Sequence, residues 1–319
     1  MRHLLELNSV SKFYGKGAKQ ISALEDIDLC IEIDRPEIFT IAGESGSGKS
    51  TLANLILGFD SPSKGEVVIN GKSLRDGVDK SFYRDVQAIF QDPFGVYNPF
   101  YRIEHVFNLV IKNFGLASQG RDARKLIEES LNIVGLEGED VLRKYPHQLS
   151  GGQRQRLMMA RAFMMKPKLI VADEPVSMVD ASLRASILDV MMRLRDEHGI
   201  SFVYITHDLS TAYQVGDSIM MLYQGRIAEI GNAEEVISRP QHPYVKLLID
   251  SVPKPDPNQP WTDIIELPDE EAARTPHNVG CRYFDRCSHR MNICRERTPS
   301  LQPVLGHLAS CHLITESEK

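Results

Sequence analysis

Residues 43–51 read Gly-Glu-Ser-Gly-Ser-Gly-Lys-Ser-Thr. This is the form G-x-x-x-x-G-K-[ST], and no other stretch limits the possible folds as much. The pattern carries weight only between a strand and a helix. Apolar Ile38-Phe39-Thr40-Ile41-Ala42 leads in, and Thr51-Leu52-Ala53-Asn54-Leu55-Ile56-Leu57 leads out with helical character. Glycines at 43, 46 and 48 let the backbone take positive φ and come close to a ligand. The run Glu44, Ser45, Ser47 to Thr51 then offers successive N–H groups as an anion nest, reinforced by the helix start. Lys49 is predicted to reach the terminal phosphates of a nucleotide, and the Ser50 hydroxyl to bind Mg²⁺. At average residue frequencies a chance match occurs in roughly 1% of chains this long.

The 319 residues suffice for more than one domain, and 42% hydrophobic with 25% charged residues is ordinary for a globular protein. A net charge of −6 leaves no basic footprint for duplex nucleic acid. No apolar run reaches the ~20 residues of a membrane span, and the N-terminus lacks an apolar signal core. The expectation is therefore a cytoplasmic location. Of five cysteines, Cys30 sits alone in an apolar run and is expected to be a buried core thiol. The other four, Cys281, Cys287, Cys294 and Cys311, crowd near the C-terminus and point to a metal site before disulfides.

Period-2 alternation predicts strands at 3–7 and 27–33, with Tyr14 between them either a core residue or an exposed ring for stacking on a base. Strands are also predicted at 65–71, closed by Asn70-Gly71, and at 86–90, ending in Gln91-Asp92-Pro93. Helical periodicity over 104–114 and 121–134 predicts a helical subdomain inserted into an α/β core. Ser150-Gly151-Gly152-Gln153 opens a further helix, a cap and a second candidate anion site. Leu169-Ile170-Val171-Ala172 is a continuous apolar strand ending in Asp173-Glu174, at the edge where parallel sheets bind ligands. Asp173 suits a role in holding Mg²⁺, and Glu174 a base polarising an attacking water. A helix over 181–197 stops at Gly199. A buried strand over 201–206 follows and ends at His207, in reach of a γ-phosphate. Runs 218–223 and 226–230 make a hairpin. Paired methionines at 158–159, 164–165, 191–192 and 220–221 read as packing.

Together these motifs resemble the nucleotide-binding subunit of an ABC transporter over roughly residues 3–250. Gly43–Thr51 corresponds to Walker A, Leu149–Gln153 to the family signature, and Leu169–Glu174 to Walker B. Gln91 corresponds to the Q-loop glutamine, a catalytic and Mg²⁺ position. Ser177–Asp180 matches the D-loop, with Asp180 at the nucleotide site, and His207 the switch histidine. Tyr14 falls where the family places its adenine-stacking aromatic. Pro36-Glu37 and Met178-Val179 depart from the commoner Gly-Glu and Ala-Leu. Neither departure removes a catalytic group, so a hydrolytic site is expected. The implied fold is a P-loop ATPase core (1–250) with an N-terminal β-subdomain and a helical subdomain at about 92–165. A Pro-rich linker (251–275) and a four-Cys extension (276–319) follow. The resemblance implies ATP and Mg²⁺, and a dimer closing head to tail so that Ser150, Gly151 and Gly152 of one subunit face the γ-phosphate on the other.

His242-Pro243-Tyr244 and the Cys-rich tail match the ATPases of oligopeptide and dipeptide importers. That group implies a second, paralogous ATPase, two membrane permeases and an extracytoplasmic solute-binding protein, with this chain peripheral on the cytoplasmic face of the membrane. Relatives carry peptides, nickel chelates or oligosaccharides. A soluble ABC-type ATPase is the alternative, but such proteins carry tandem domains or a long coiled-coil insertion. The four cysteines are separated by five, six and sixteen residues, without a Cys-x-x-Cys pair. Structural zinc sites favour close pairs, so the expectation is a [4Fe–4S] cluster, with zinc, disulfides or free thiols as alternatives.

Overall fold

Alternation of apolar and polar residues turns the N-terminal region into a twisted hairpin. In the computed structural model, which describes residues 2–17, 20–118, 120–252 and 279–314, β1 (His3–Tyr14) pairs antiparallel with β2 (Ile21–Glu32). Both strands outrun the alternating pattern. Irregular pairing between Leu7 and Lys12 carries the ladder across breaks in that pattern. Cys30 is not the buried thiol expected. The alternation buries Leu29 and Ile31 and turns Cys30 outward, where its Sγ lies 2.7 Å from His3 Nδ1.

β3 (Ile38–Ala42) is buried at all five residues and runs through the Gly-rich loop into α1 (Lys49–Ile56). β4 (Lys64–Ile69) turns at Asn70-Gly71 into β5 (Lys72–Ser73), completing a four-stranded sheet in the order β2-β1-β4-β5. After α2 (Lys80–Asp85) and β6 (Val86–Ile89) the chain leaves the sheet. α3 (Ile103–Phe114), α4 (Arg121–Ile133), α5 (Gly138–Val141) and α6 (Gly151–Met164) form the helical insertion. Phe107, Ile127, Leu131 and Leu157 bind these helices into one apolar cluster with a face of the main sheet.

The chain returns as β7 (Leu169–Asp173), α7 (Ala181–His198), β8 (Ser201–Thr206), α8 (Leu209–Val215), β9 (Ser218–Tyr223) and β10 (Arg226–Asn232). α9 (Ala233–Ser238) and α10 (Pro243–Asp250) follow, then α11 (Asn292–Glu296), β11 (Gln302–Val304) and β12 (His307–Ala309). The proline-rich stretch read as a linker lies almost wholly outside the described residues. The main sheet has the order β11-β12-β10-β9-β3-β8-β7-β6. Its stretch from β9 to β6 is parallel, which accounts for the near-continuous apolar strands. In that register Ala42 lies beside Thr206 and Asp173 beside Ile205. The Gly-rich loop, the Asp173-Glu174 pair and His207 thus emerge at one edge.

The C-terminal extension is not a detached module. β12 pairs with β10, Glu229 opposite Ala309 and Ile230 opposite Leu308, and so extends the main sheet. Behind this seam His307 and Glu229, both fully buried at their side chains, meet at 2.9 Å but out of line for a hydrogen bond.

Candidate functional site

The loop after β3 takes the shape its glycines permit. Gly43, Gly46 and Gly48 have φ of 149°, 78° and 108°. At Gly43 a Cβ would lie 2.3 Å from the Leu222 carbonyl, so the site admits no side chain. At Gly46 a Cβ would meet nothing within 4 Å, leaving the concave side of the loop open. Lys49 is 7% exposed, and its ammonium donates at 2.7 Å to the carbonyls of both Gly43 and Glu44. Burial lowers its pKa, against the opposing pull of Glu174, Asp173 and Glu44. Ser47 is buried, and its carbonyl accepts from the Gly225 N–H at 2.8 Å. Ser45 and Ser50 face solvent, and Thr51 is half-buried.

Glu174 occupies the left-handed region at φ 44°, an unfavourable backbone for a non-glycine residue. The Ile205 carbonyl holds it there by accepting its N–H at 2.9 Å. This turn brings the carboxylate between two loops. Gln91 Nε2 donates to one oxygen at 2.8 Å, and His207 Nδ1 lies 2.9 Å from the other. Gln91, Glu174 and His207 are thus one connected group, with His207 in contact with Glu174 itself. Asp173 beside it is half-buried. Desolvation raises its pKa, the neighbouring Glu174 charge raises it further, and Lys49 opposes both.

Tyr14 ends β1 as an exposed ring, not a core residue. Its hydroxyl donates to Asp60 at 2.9 Å and also engages Thr51, which sets the ring beside the start of α1. Ser150 and Gln153 form a reciprocal capping box at α6: Gln153 N–H donates to Ser150 Oγ, and Ser150 N–H to Gln153 Oε1. Gly152 packs against Leu183, where a Cβ would come within 2.6 Å. Gly151 has only ordinary contacts at 3.6 Å. Asp180 is exposed at the start of α7, and its side chain does not cap that helix. Among the described residues, no hydrogen bond or ion pair joins residues 150–153 or Asp180 to the Gly-rich loop.

Cys281, Cys287, Cys294 and Cys311 line one small cavity, with His312 and Phe284. All are free thiols. A hydrogen bond from Cys281 N–H to the Cys294 carbonyl, 2.7 Å, ties two of their segments together. Burial pushes the Cys281 thiol up to about 11 and raises those of Cys287 and Cys311. Among the described residues, no three His, Cys, Asp or Glu side chains converge as ligands of a single ion.

Comparison with known proteins matches this geometry to a family. A family model for the ABC transporter matches residues 24–177, and one for the oligopeptide/dipeptide transporter C-terminal region matches residues 228–294. A dipeptide transport ATP-binding protein of Haemophilus influenzae is 37% identical over 97% of this chain and 96% of its own length. The chain belongs to the ATP-binding subunits of ABC transporters. An oligopeptide transport ATP-binding protein of Streptococcus pyogenes is 36% identical over 80% of this chain and 83% of that protein. A solved dimeric ATP-binding cassette, bound to ADP and phosphate after hydrolysis, has a TM-score of 0.64 at 32% identity, covering 72% of this chain and 98% of that one.

This ABC ATPase therefore has the cassette fold of its family and hydrolyses ATP to drive transport. No described helix is long and apolar enough to cross a membrane. Sequence reasoning missed two residues that grip the loop: Tyr244, whose hydroxyl accepts the Glu44 N–H at 2.9 Å, and Arg286, which pairs with the Glu44 side chain. His242-Pro243-Tyr244 stood out as a motif. Its physical reason is that His242 Nδ1 caps α10 and aims the fully buried Tyr244 at the loop.

Proposed function

We propose that this ATPase powers uptake of peptides, paired with a paralogous ATPase beneath two permeases on the cytoplasmic face of the membrane. The observation that carries the catalytic part is the Glu174 carboxylate fixed by Gln91 and His207 beside Lys49. The Gly-rich loop holds the phosphates, with Lys49 on the β- and γ-oxygens and Tyr14 against the adenine. Glu174 takes a proton as a water oxygen bonds to the γ-phosphorus and the bond to the β–γ bridging oxygen breaks, releasing ADP and phosphate. His207 and Gln91 hold Glu174 until substrate arrives, then turn to the γ-phosphate and the water. Ser50 hydroxyl, Asp173 carboxylate and Gln91 amide oxygen are hard donors that fit Mg²⁺. When bound, the ion neutralises charge on the β- and γ-phosphates.

Ser150, Gly151, Gly152 and Asp180 complete the site on the partner subunit. Their separation from the loop within one chain supports this, as does Gly151, which this chain's own packing does not require. Exposed Phe90 and Phe94, on either side of Gln91 in the chain, and exposed Phe59 stacked on Phe90 suit a short permease helix. Four thiols lining one cavity, without a Cys-x-x-Cys pair, are a donor set that would hold a [4Fe–4S] cluster rather than zinc. Such a cluster would staple a tail of few apolar residues.

Two measurements test this reading. In liposomes carrying the cognate permeases and both ATPases, a peptide-loaded solute-binding protein should stimulate hydrolysis. Stimulation by oligosaccharide or nickel chelate instead would overturn the peptide assignment. Anaerobically purified chain should contain about four irons and four sulfides; about one zinc and no sulfide would refute the cluster.

A further inference from the structure

The C-terminal extension reaches the phosphate loop through Arg286. Arg286 Nη1 and Nη2 donate to Glu44 Oε2 and Oε1 at 2.7 and 3.0 Å, a two-pronged pair across 242 residues. The guanidinium lies 5.8 Å from the ring centre of Tyr223 and 5.6 Å from that of Tyr283, so aromatic faces confine it. The Arg286 side chain is 14% exposed. Glu44 is engaged at every polar group: its N–H by Tyr244, its carbonyl by Lys49 and its carboxylate by Arg286. A second anchor runs parallel. Buried Arg282 pairs with Glu25 and donates to the Gln224 carbonyl at 3.4 Å. The next residue, Gly225, donates its N–H to the Ser47 carbonyl.

Glu44 brings a full negative charge into a loop that must receive a triphosphate. Left alone, that charge repels the ligand; paired with a confined guanidinium, it becomes a fixed neutral strut.

We propose that Arg286 is a positioning residue of the ATP site, setting the charge and shape of the phosphate loop through Glu44 and making ATP affinity depend on the docked C-terminal extension. The inference rests on the reading of residues 43–51 as the phosphate site.

The test is a titration of the full-length chain with the non-hydrolysable analogue Mg-AMP-PNP at low salt, with melting temperatures measured in parallel. Arg286→Ala should weaken binding roughly 5–10-fold, and Arg286→Lys, which keeps charge but loses the fork, about 2-fold. Adding Glu44→Gln to Arg286→Ala should restore affinity to within about 2-fold, because the uncompensated charge is gone. The Arg286→Ala defect should shrink as salt rises. Wild-type affinity in Arg286→Ala, or no recovery in the double variant, overturns the proposal and leaves Arg286 a structural staple. If Arg286→Ala does not fold, Arg286→Lys and Arg286→Gln/Glu44→Gln decide by the same criteria. Lys49→Ala separates the two failures: normal binding there refutes the phosphate-site reading, whereas lost binding there with an unaffected Arg286→Ala refutes only the role of Arg286.

Discussion

At the start of α1 the backbone is held from several sides; at the start of α6 it is held by itself. The α1 loop is tied to α10 by Tyr244, to the β9–β10 turn by Gly225, to the extension by Arg286, and internally by Lys49. The α6 start has a capping box from its own Ser150 and Gln153 and an uncrowded Gly151. Both are glycine-bearing helix starts able to bind an anion. The first is a finished cradle within one chain. The second is capped by its own residues and lies apart from the first. Under the proposed function, half of the site is built by folding and half by association.

The largest test of this contrast lies where the halves meet. Glu174→Gln should cut turnover about 1000-fold while ATP still binds and holds the subunits together. Residual hydrolysis near wild type, in a phosphate-release assay, would remove the base from Glu174. Lys49→Ala attacks the anchored half and should weaken Mg-ATP binding about 100-fold, because a buried ammonium on the phosphates is lost. Gly151→Asp attacks the delivered half. It should lower turnover of the assembled transporter more than about 10-fold by like-charge repulsion, yet leave ATP affinity of the isolated chain within about 2-fold. Loss of affinity in the isolated chain would collapse the distinction.

The smallest effect concerns pH. His242 caps the helix that carries Tyr244, and burial pushes its pKa down to about 4. The unfolded imidazole titrates near 6.5, so between these values the unfolded chain binds the extra proton and stability falls as pH drops. By pH 5.5 the loss is about 1 kcal/mol, a melting shift of about 2–4 °C. His242→Asn keeps the cap and removes the titration, so its melting temperature should fall less on acidification. An identical acid profile in the two proteins would dissociate His242 from the effect.

Much of the cassette was legible because its signals are local. β3, the Gly-rich loop and α1 are contiguous, and their glycines take the positive φ expected of them. The unbroken apolar run at 169–172 pointed to a parallel strand buried on both faces, and the run at 201–206 to a buried strand. Other features were read incompletely. Cys30 was assigned by its apolar neighbours, although the period of a strand decides which face a residue occupies. The contact of His207 with Glu174 was not part of the sequence reading.

What the sequence determined by itself was the set of chemical parts: the anion-binding loop, the acids at the strand end, the capped signature helix and the four cysteines. Backbone periodicity and turn chemistry act over a few residues, and short segments record them. Tertiary structure decided which parts meet. The extension joins the main sheet through β12, and Arg286 closes on Glu44 across 242 residues. Such pairs leave no mark in either local segment, because the partner's position is set by the packing of everything between them.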